Sequence, residues 1–145
     1  MFKRKVNYYE TDQMAIVHHS NYIRWLEEAR IEWMDKNGCS LFELEKIGIQ
    51  IPVVDVYCKY LKPVHFGQTV NIRLKFSNYT GTRFEIEYMM FIDEEDTPCN
   101  IASSKHCFIK TNGQAVSLKK YNKEFHDRIA IAVKKEKENE ERTIN

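Results

Sequence analysis

Residues 8–30 read YYETDQMAIVHHSNYIRWLEEAR, and the change of pattern inside that stretch decides the fold. From Asn21 onward apolar side chains recur at steps of three and four, at Tyr22, Trp25, Leu26, Ala29 and Trp33. Arg24, Glu27, Glu28, Glu32 and Lys36 take much of the other side, so the spacing predicts an amphipathic helix with one face in a core. Ser20 or Asn21 can cap its start by accepting from freed backbone N–H groups. Asn37-Gly38 tolerates the left-handed turn that ends it. Ahead of the helix lie Asp12, the adjacent pair His18 and His19, and tyrosines at both ends of the segment.

On the N-terminal side, Phe2 to Tyr9 is rich in aromatic and β-branched residues and fits a first strand. Beyond the helix a short helical piece covers Leu41 to Ile47, and after Gly48 the period changes to two. Ile51 to Leu61 is strand-like. Val70, Ile72, Leu74 and Phe76 alternate with Asn71, Arg73 and Lys75, and Phe84 to Ile92 repeats the pattern after a Thr80-Gly81 turn. Another strand covers about Asn100 to Lys110, and Asn112-Gly113 turns the chain into Ala115–Leu118. A helix is expected from Tyr121 to about Lys135, and the charged end, residues 136–145, is expected to fray.

A strand, a long helix, then four or five strands joined mostly by short turns is an α+β order. Successive strands should pair antiparallel, with the long helix covering one face. The expected architecture is a single domain over residues 1–145, an antiparallel sheet wrapped around one central helix. One sheet and one helix leave an open edge and apolar surface, so assembly with copies of itself is expected.

Composition narrows the function classes. The chain has 145 residues, 43% apolar and 30% charged, enough for a real core. With 22 basic and 21 acidic side chains the formal charge is +1, which gives no general reason to expect nucleic acid or an anionic membrane as partner. The start, MFKRKVNYYETDQ, has no apolar run of a signal peptide, and no stretch approaches a membrane span. Cys39, Cys58, Cys99 and Cys107 are widely spaced without C-x-x-C, and read as reduced thiols of a cytoplasmic protein.

The loop before the helix admits several chemistries on residue types alone. Asp12 can be a turn residue or an acid favoured by the helix dipole, with His18 and His19 as polar loop residues. Glu10, Asp12, His18 and His19 are also potential metal ligands. No H-x-x-x-H spacing or second carboxylate cluster accompanies them, and neither a metal nor an organic cofactor is expected. Ser20 lacks the G-x-S-x-G elbow of a serine hydrolase. The remaining reading is acyl transfer to water. A helix start offers N–H groups and partial positive charge for an oxyanion, a carboxylate upstream can act as base or nucleophile, and an imidazole can orient either one.

The same residues resemble the N-terminal signature of the 4-hydroxybenzoyl-CoA thioesterase-like family of hotdog-fold acyl-CoA thioesterases. That signature runs tyrosine, T-D-x-x-G-x-V-H/Y-x-x-N-Y, then a helix with Trp or Phe and E-x-A-R. YLKPVHFG at 60–67 is similar to the family's Y-x-x-P-x-x-x-G/D turn, and NYTGTRFEIEYMMF and ASSKHCFIKTNGQAVSL resemble its last long strands. The resemblance covers about residues 2–120. It implies a curved antiparallel sheet around a long helix, dimers that join their sheets and often pair into tetramers, and an active site between subunits. Asp12 matches the catalytic carboxylate, as general base or nucleophile. His19 matches the histidine two places before the N-Y pair, and Tyr8 matches a tyrosine of the site in close relatives.

Where the family pattern has glycine after D-x-x, this chain has Ala15, strained by about a kcal/mol or more if the position takes positive φ. The implied reaction is hydrolysis of an acyl-CoA thioester to free acid and coenzyme A. Acyl-ACP hydrolysis, a dehydratase and a non-catalytic acyl-thioester-binding regulator are the alternatives the fold allows. Lys59, Lys62 and Arg83 are candidates for the phosphates of coenzyme A, against the plain alternative of solvated strand cations. His65 reads as a surface residue, and His106 as a hydrogen-bonded structural histidine.

Overall fold

The computed structural model describes residues 1–144. In chain order the elements are β1 (Phe2–Lys5), a 3-10 turn (Tyr8–Glu10), α1 (Ser20–Lys36), α2 (Leu41–Lys46), β2 (Ile49–Gln50) and β3 (Val53–Tyr60). There follow β4 (Thr69–Tyr79), β5 (Arg83–Ile92), β6 (Asn100–Cys107), β7 (Ile109–Lys110), α3 (Leu118–Tyr121) and α4 (Lys123–Ile144). Five strands form one sheet in the order β1-β4-β5-β6-β3, and β2 pairs with β7 in a second. The class is α+β with an antiparallel sheet, as the order of elements predicts. No helix among the described residues is long and apolar enough to cross a membrane.

Contacts gather the chain into two compact units. The first comprises Met1–Glu32, Tyr57–Leu74 and Glu87–Ser103. Its core takes the inward stripe of α1, where Tyr22, Trp25, Leu26 and Ala29 are at most 3% exposed, together with Val6, Val17, Val64 and Ile72. β1 lies antiparallel to β4 in the register Phe2↔Ile72 to Lys5↔Thr69. Arg30 is buried as well, a cation that the apolar spacing alone does not foresee.

The second unit comprises Trp33–Val56, Lys75–Ile86 and Ser104–Asn145. Here α1 ends as the sequence predicts. Gly38 takes φ 71, and the Cys39 N–H donates to the Met34 carbonyl at 3.0 Å, closing the last turn. Trp33, Phe76, Phe84 and Phe108 form a run of aromatic contacts with centroid separations of 4.4, 5.4 and 5.5 Å. α4 buries Phe125, Ile129, Ala132 and Val133, the i, i+4, i+7, i+8 stripe of a docked helix. His106 is buried, bonded to the Ser104 hydroxyl at 2.7 Å and stacked on Phe84, as a structural histidine should be.

Four sequence expectations need correction. β1 stops at Lys5 and not Tyr9, because Tyr8–Glu10 curls into a turn whose Glu10 side chain accepts from the Asn7 N–H at 2.7 Å. Ala115–Leu118 is no strand: Ala115 makes only an isolated bridge to Ile109, and α3 starts at Leu118, whose N–H donates to the Gly81 carbonyl at 2.7 Å. β3 and β4 are successive but not neighbours, since β3 lies beside β6. The last helix, expected to end near Lys135, is longer. α4 runs on to Ile144, with Lys75 pairing to Glu140 at 3.1 Å, while residue 145 lies outside the described residues.

Glu136 on that helix carries a testable consequence. Burial pushes its carboxyl up to about 7 and the neighbouring Glu140 adds to the rise, while hydrogen bonds from Trp33 and the Phe76 backbone and the Lys75 charge oppose it. An unfolded Glu loses its proton near 4.5, so the unfolded chain deprotonates first and folding stability falls as pH rises from there to about 7. Urea unfolding should show that decline in the wild type and a flatter profile in Glu136→Gln. Water reaches part of this side chain and screens the effect, so at about pH 7.5 the variant should be the more stable by only about 1 kcal/mol.

Candidate active site

The loop between the 3-10 turn and α1 is a small hairpin. Thr11 and Val17 form an antiparallel bridge, the Asp12 N–H donates to the Ile16 carbonyl at 2.8 Å, and the Ala15 N–H returns to the Asp12 carbonyl at 3.0 Å. A three-residue hairpin loop of this kind needs a left-handed residue in its last position. Ala15 takes it with φ 63, which is the backbone reason the family pattern carries glycine there. Left-handed alanine costs about 1–2 kcal/mol, and glycine returns about 0.4–1 kcal/mol of that through the freer unfolded chain. Ala15→Gly should therefore raise unfolding free energy by about 0.5–1 kcal/mol in urea titration and leave turnover within about twofold.

Inside the loop the Asp12 carboxylate is fixed. Its Oδ1 accepts from the Met14 N–H at 2.8 Å, an aspartate turn that orients the side chain without consuming Oδ2. Asp12 and His19 line one cleft of about 330 Å³ in the first unit, with Tyr22, Tyr60 and Lys62. Met14, Ile16, Leu61 and Pro63 supply apolar wall. Tyr60 donates to the His19 carbonyl at 3.2 Å and meets Tyr22 edge to face at 4.9 Å. Partial burial, with the Cys58 contact, pushes the Tyr60 phenol up to about 12, so it remains a donor. Burial drives the Tyr22 phenol up as well.

The His18 and His19 rings lie tilted against each other with centroids 4.2 Å apart, and the His18 ring bonds to Ser20 at the helix start. Its Nδ1 accepts the Ser20 N–H at 3.3 Å and meets the Ser20 hydroxyl at 2.8 Å. The next two helix-start donors are also taken: the Asn21 N–H by the His18 carbonyl and the Tyr22 N–H by the His19 carbonyl. Asn21 does not cap by accepting, as the sequence allows. Its side-chain Nδ2 donates to the buried Glu10 carbonyl at 2.9 Å.

Of the remaining sequence candidates, Lys62 reaches the cleft and pairs loosely with Glu95 at 3.3 Å. Tyr8 does not line it. It is 74% exposed and rests edge-on against Phe66. Lys59 and Arg83 are exposed on β3 and β5, and neither lines the cleft. Tyr60, which sequence reasoning placed on a strand without a role, is marked in retrospect by its place at the start of the YLKP turn. Burial pushes the Cys99 thiol up to about 11, unsuited to a nucleophile. Glu10 is withdrawn from any metal-ligand set by its own ion pair, with Arg4 at 3.1 Å.

The relatives and structural neighbours of this chain place it in the class of thioester hydrolases. The chain belongs to the thioesterase-like superfamily, whose family model matches residues 6–132, and its fold is the hotdog fold. It is 35% identical over 120 residues to a protein of Aquifex aeolicus, covering 83% of this chain and 91% of that one. A Bacillus subtilis protein with the provisional name acyl-CoA thioesterase is 31% identical over 122 residues, 84% of this chain and 88% of its own. Among solved structures, DHNA-CoA thioesterase from Staphylococcus aureus superposes with a TM-score of 0.84 at 28% identity, covering 89% of this chain and 87% of that one.

Proposed function

We propose that this chain, acting as one thioesterase domain, hydrolyses an acyl-CoA thioester whose carbonyl sits in the Asp12–His19 cleft. The carrying observation is that both residues line one largely apolar cleft, with the Asp12 carboxylate already oriented by the Met14 N–H. In this reading Asp12 takes the proton of an attacking water, or attacks the carbonyl carbon itself and is released by water. On either route the tetrahedral adduct collapses by expelling the thiolate of coenzyme A; on the nucleophilic route that step leaves an Asp12 anhydride, which water then hydrolyses to the free acid and the carboxylate. Among the described residues the N–H groups of Ser20, Asn21 and Tyr22 have acceptors, whereas the His19 N–H has none, so it is the donor we assign to the oxyanion. The His19 imidazole borders the same space and orients carbonyl or water. Lys62 is the candidate cation best placed for a phosphate of coenzyme A.

Apolar walls with an edge-to-face tyrosine pair suit a flat aromatic acyl group as well as a chain. The name of the Staphylococcus aureus relative supports including aromatic esters. Thiol release from short, long and aromatic acyl-CoA esters, with an acyl-carrier-protein ester beside them, tests the reading. Rapid hydrolysis of a CoA ester supports it; preference for the carrier protein redirects the substrate. Binding without hydrolysis would make the chain a sensor.

We read β3 as the edge through which copies of the chain meet, as dimers or pairs of dimers. It ends the sheet, and none of its eight residues is buried, with Val53, Val54 and Tyr57 more than half exposed. Val54→Lys should shift the mass in light scattering from two or four chains to one.

A further inference from the structure

We propose that Glu10 is a positioning residue for the reaction, the anchor that holds Asp12 and His19 in register across the neck of the loop, an inference that rests on the thioesterase reading of those two residues. Glu10 is 3% exposed, yet both its carboxylate oxygens are satisfied. Oε1 accepts from the Asn7 N–H at 2.7 Å and from Arg4 at 3.2 Å; Oε2 accepts from Arg4 at 3.1 Å and from the Trp25 indole N–H at 2.8 Å. The side chain is thus tied to β1, to its own turn and to α1. Charge-assisted bonds of this kind are short and directional, and a buried group holding four of them has little freedom.

The backbone of the same residue closes the loop. The Glu10 carbonyl accepts from the His18 N–H at 2.8 Å and from the Asn21 side chain at 2.9 Å. Asp12 follows two residues after this knot, and His19 follows immediately after His18. Glu10 does not line the cleft, so whatever it does for catalysis it does by fixing the two residues that do. A displacement of about 1 Å in a catalytic group costs on the order of a hundredfold in rate. Two groups hung from one knot move together when it loosens.

Glu10→Gln keeps the shape but sets an amide N–H2 against the Arg4 and Trp25 donors. Circular dichroism and thermal unfolding establish that the assayed protein is folded. The expected result is a kcat lower by about a hundredfold with KM for the acyl-CoA ester within about threefold. Should Glu10→Gln fail to fold, Asn21→Ala loosens the same carbonyl from the helix side and should lower kcat about tenfold, again with KM held. A folded Glu10→Gln with wild-type kcat, or with KM raised and kcat held, overturns the proposal while leaving the thioesterase reading intact. If the wild type hydrolyses no ester, that reading fails by itself. The His18 and His19 imidazole NMR resonances then decide: shifted in Glu10→Gln, the anchoring stands, and unmoved, it falls.

Discussion

Asp12→Asn is expected to hydrolyse the preferred acyl-CoA about a thousandfold more slowly than wild type, with an unchanged melting temperature. A positioned general base supplies about 10²–10⁴ in rate, and the loop geometry explains why the loss should not be confused with unfolding. The hydrogen bond that shapes the loop runs from the Met14 N–H to Oδ1, and an asparagine oxygen accepts it equally well. The Asp12 N–H to Ile16 and the Ala15 N–H to Asp12 are backbone bonds and do not change. What disappears is the negative charge and the basic lone pair of the second oxygen. The thiol-release assay that finds the substrate checks it, and a loss smaller than tenfold would remove Asp12 from the chemistry.

The second large effect is on stability. Arg4 bridges Glu10 and Glu28, at 3.1 and 2.9 Å, and it is the only cation paired with Glu10 among the described residues. Arg4→Met removes that cation while Glu10 stays buried, and stranding one partner of a buried pair costs about 3–5 kcal/mol. Arg4 is itself 19% exposed, so the lower end, about 3 kcal/mol, is the expected loss in urea unfolding. The double variant Arg4→Met, Glu10→Gln should recover part of it, since no unpaired charge then remains inside. Equal stability of Arg4→Met and wild type would mean that the Glu10 carboxylate is held by its N–H donors alone.

Local pattern carried much of the fold. The Tyr22, Trp25, Leu26, Ala29 spacing placed α1, Asn37-Gly38 placed its end, and the alternation from Phe84 onward placed β5. Pairing between distant strands was not legible. A turn length says which strands can be hairpin neighbours but not that β3 goes beside β6. The length of α4 was missed for a related reason: a run of charges does not show that Trp33 and Lys75 supply partners for it. In the candidate site, motif and loop chemistry both nominated Asp12 and His19, which line one cleft, and the positive φ of Ala15 was legible because one residue type answers one backbone angle. Tyr8, Lys59 and Arg83 are matched by type or by resemblance, and nothing in one sequence tells whether such a side chain turns toward a cleft. Glu10 was missed outright as an anchor. Glutamate reads as surface, and its burial depends on Arg4, Asn7 and Trp25 converging in three dimensions.

The openness of β3 also bears on the solubility of the chain. VVDVYCKY joins β-branched and aromatic residues with a single acid and a single base, the composition that stacks into fibrils when left uncovered. A single chain thus carries an adhesive edge. Asp55 and Lys59 are the two charges that interrupt it, acting as gatekeepers against runaway stacking. Neutralising them would show first as lost solubility during expression, in chains whose fold and cleft are otherwise intact.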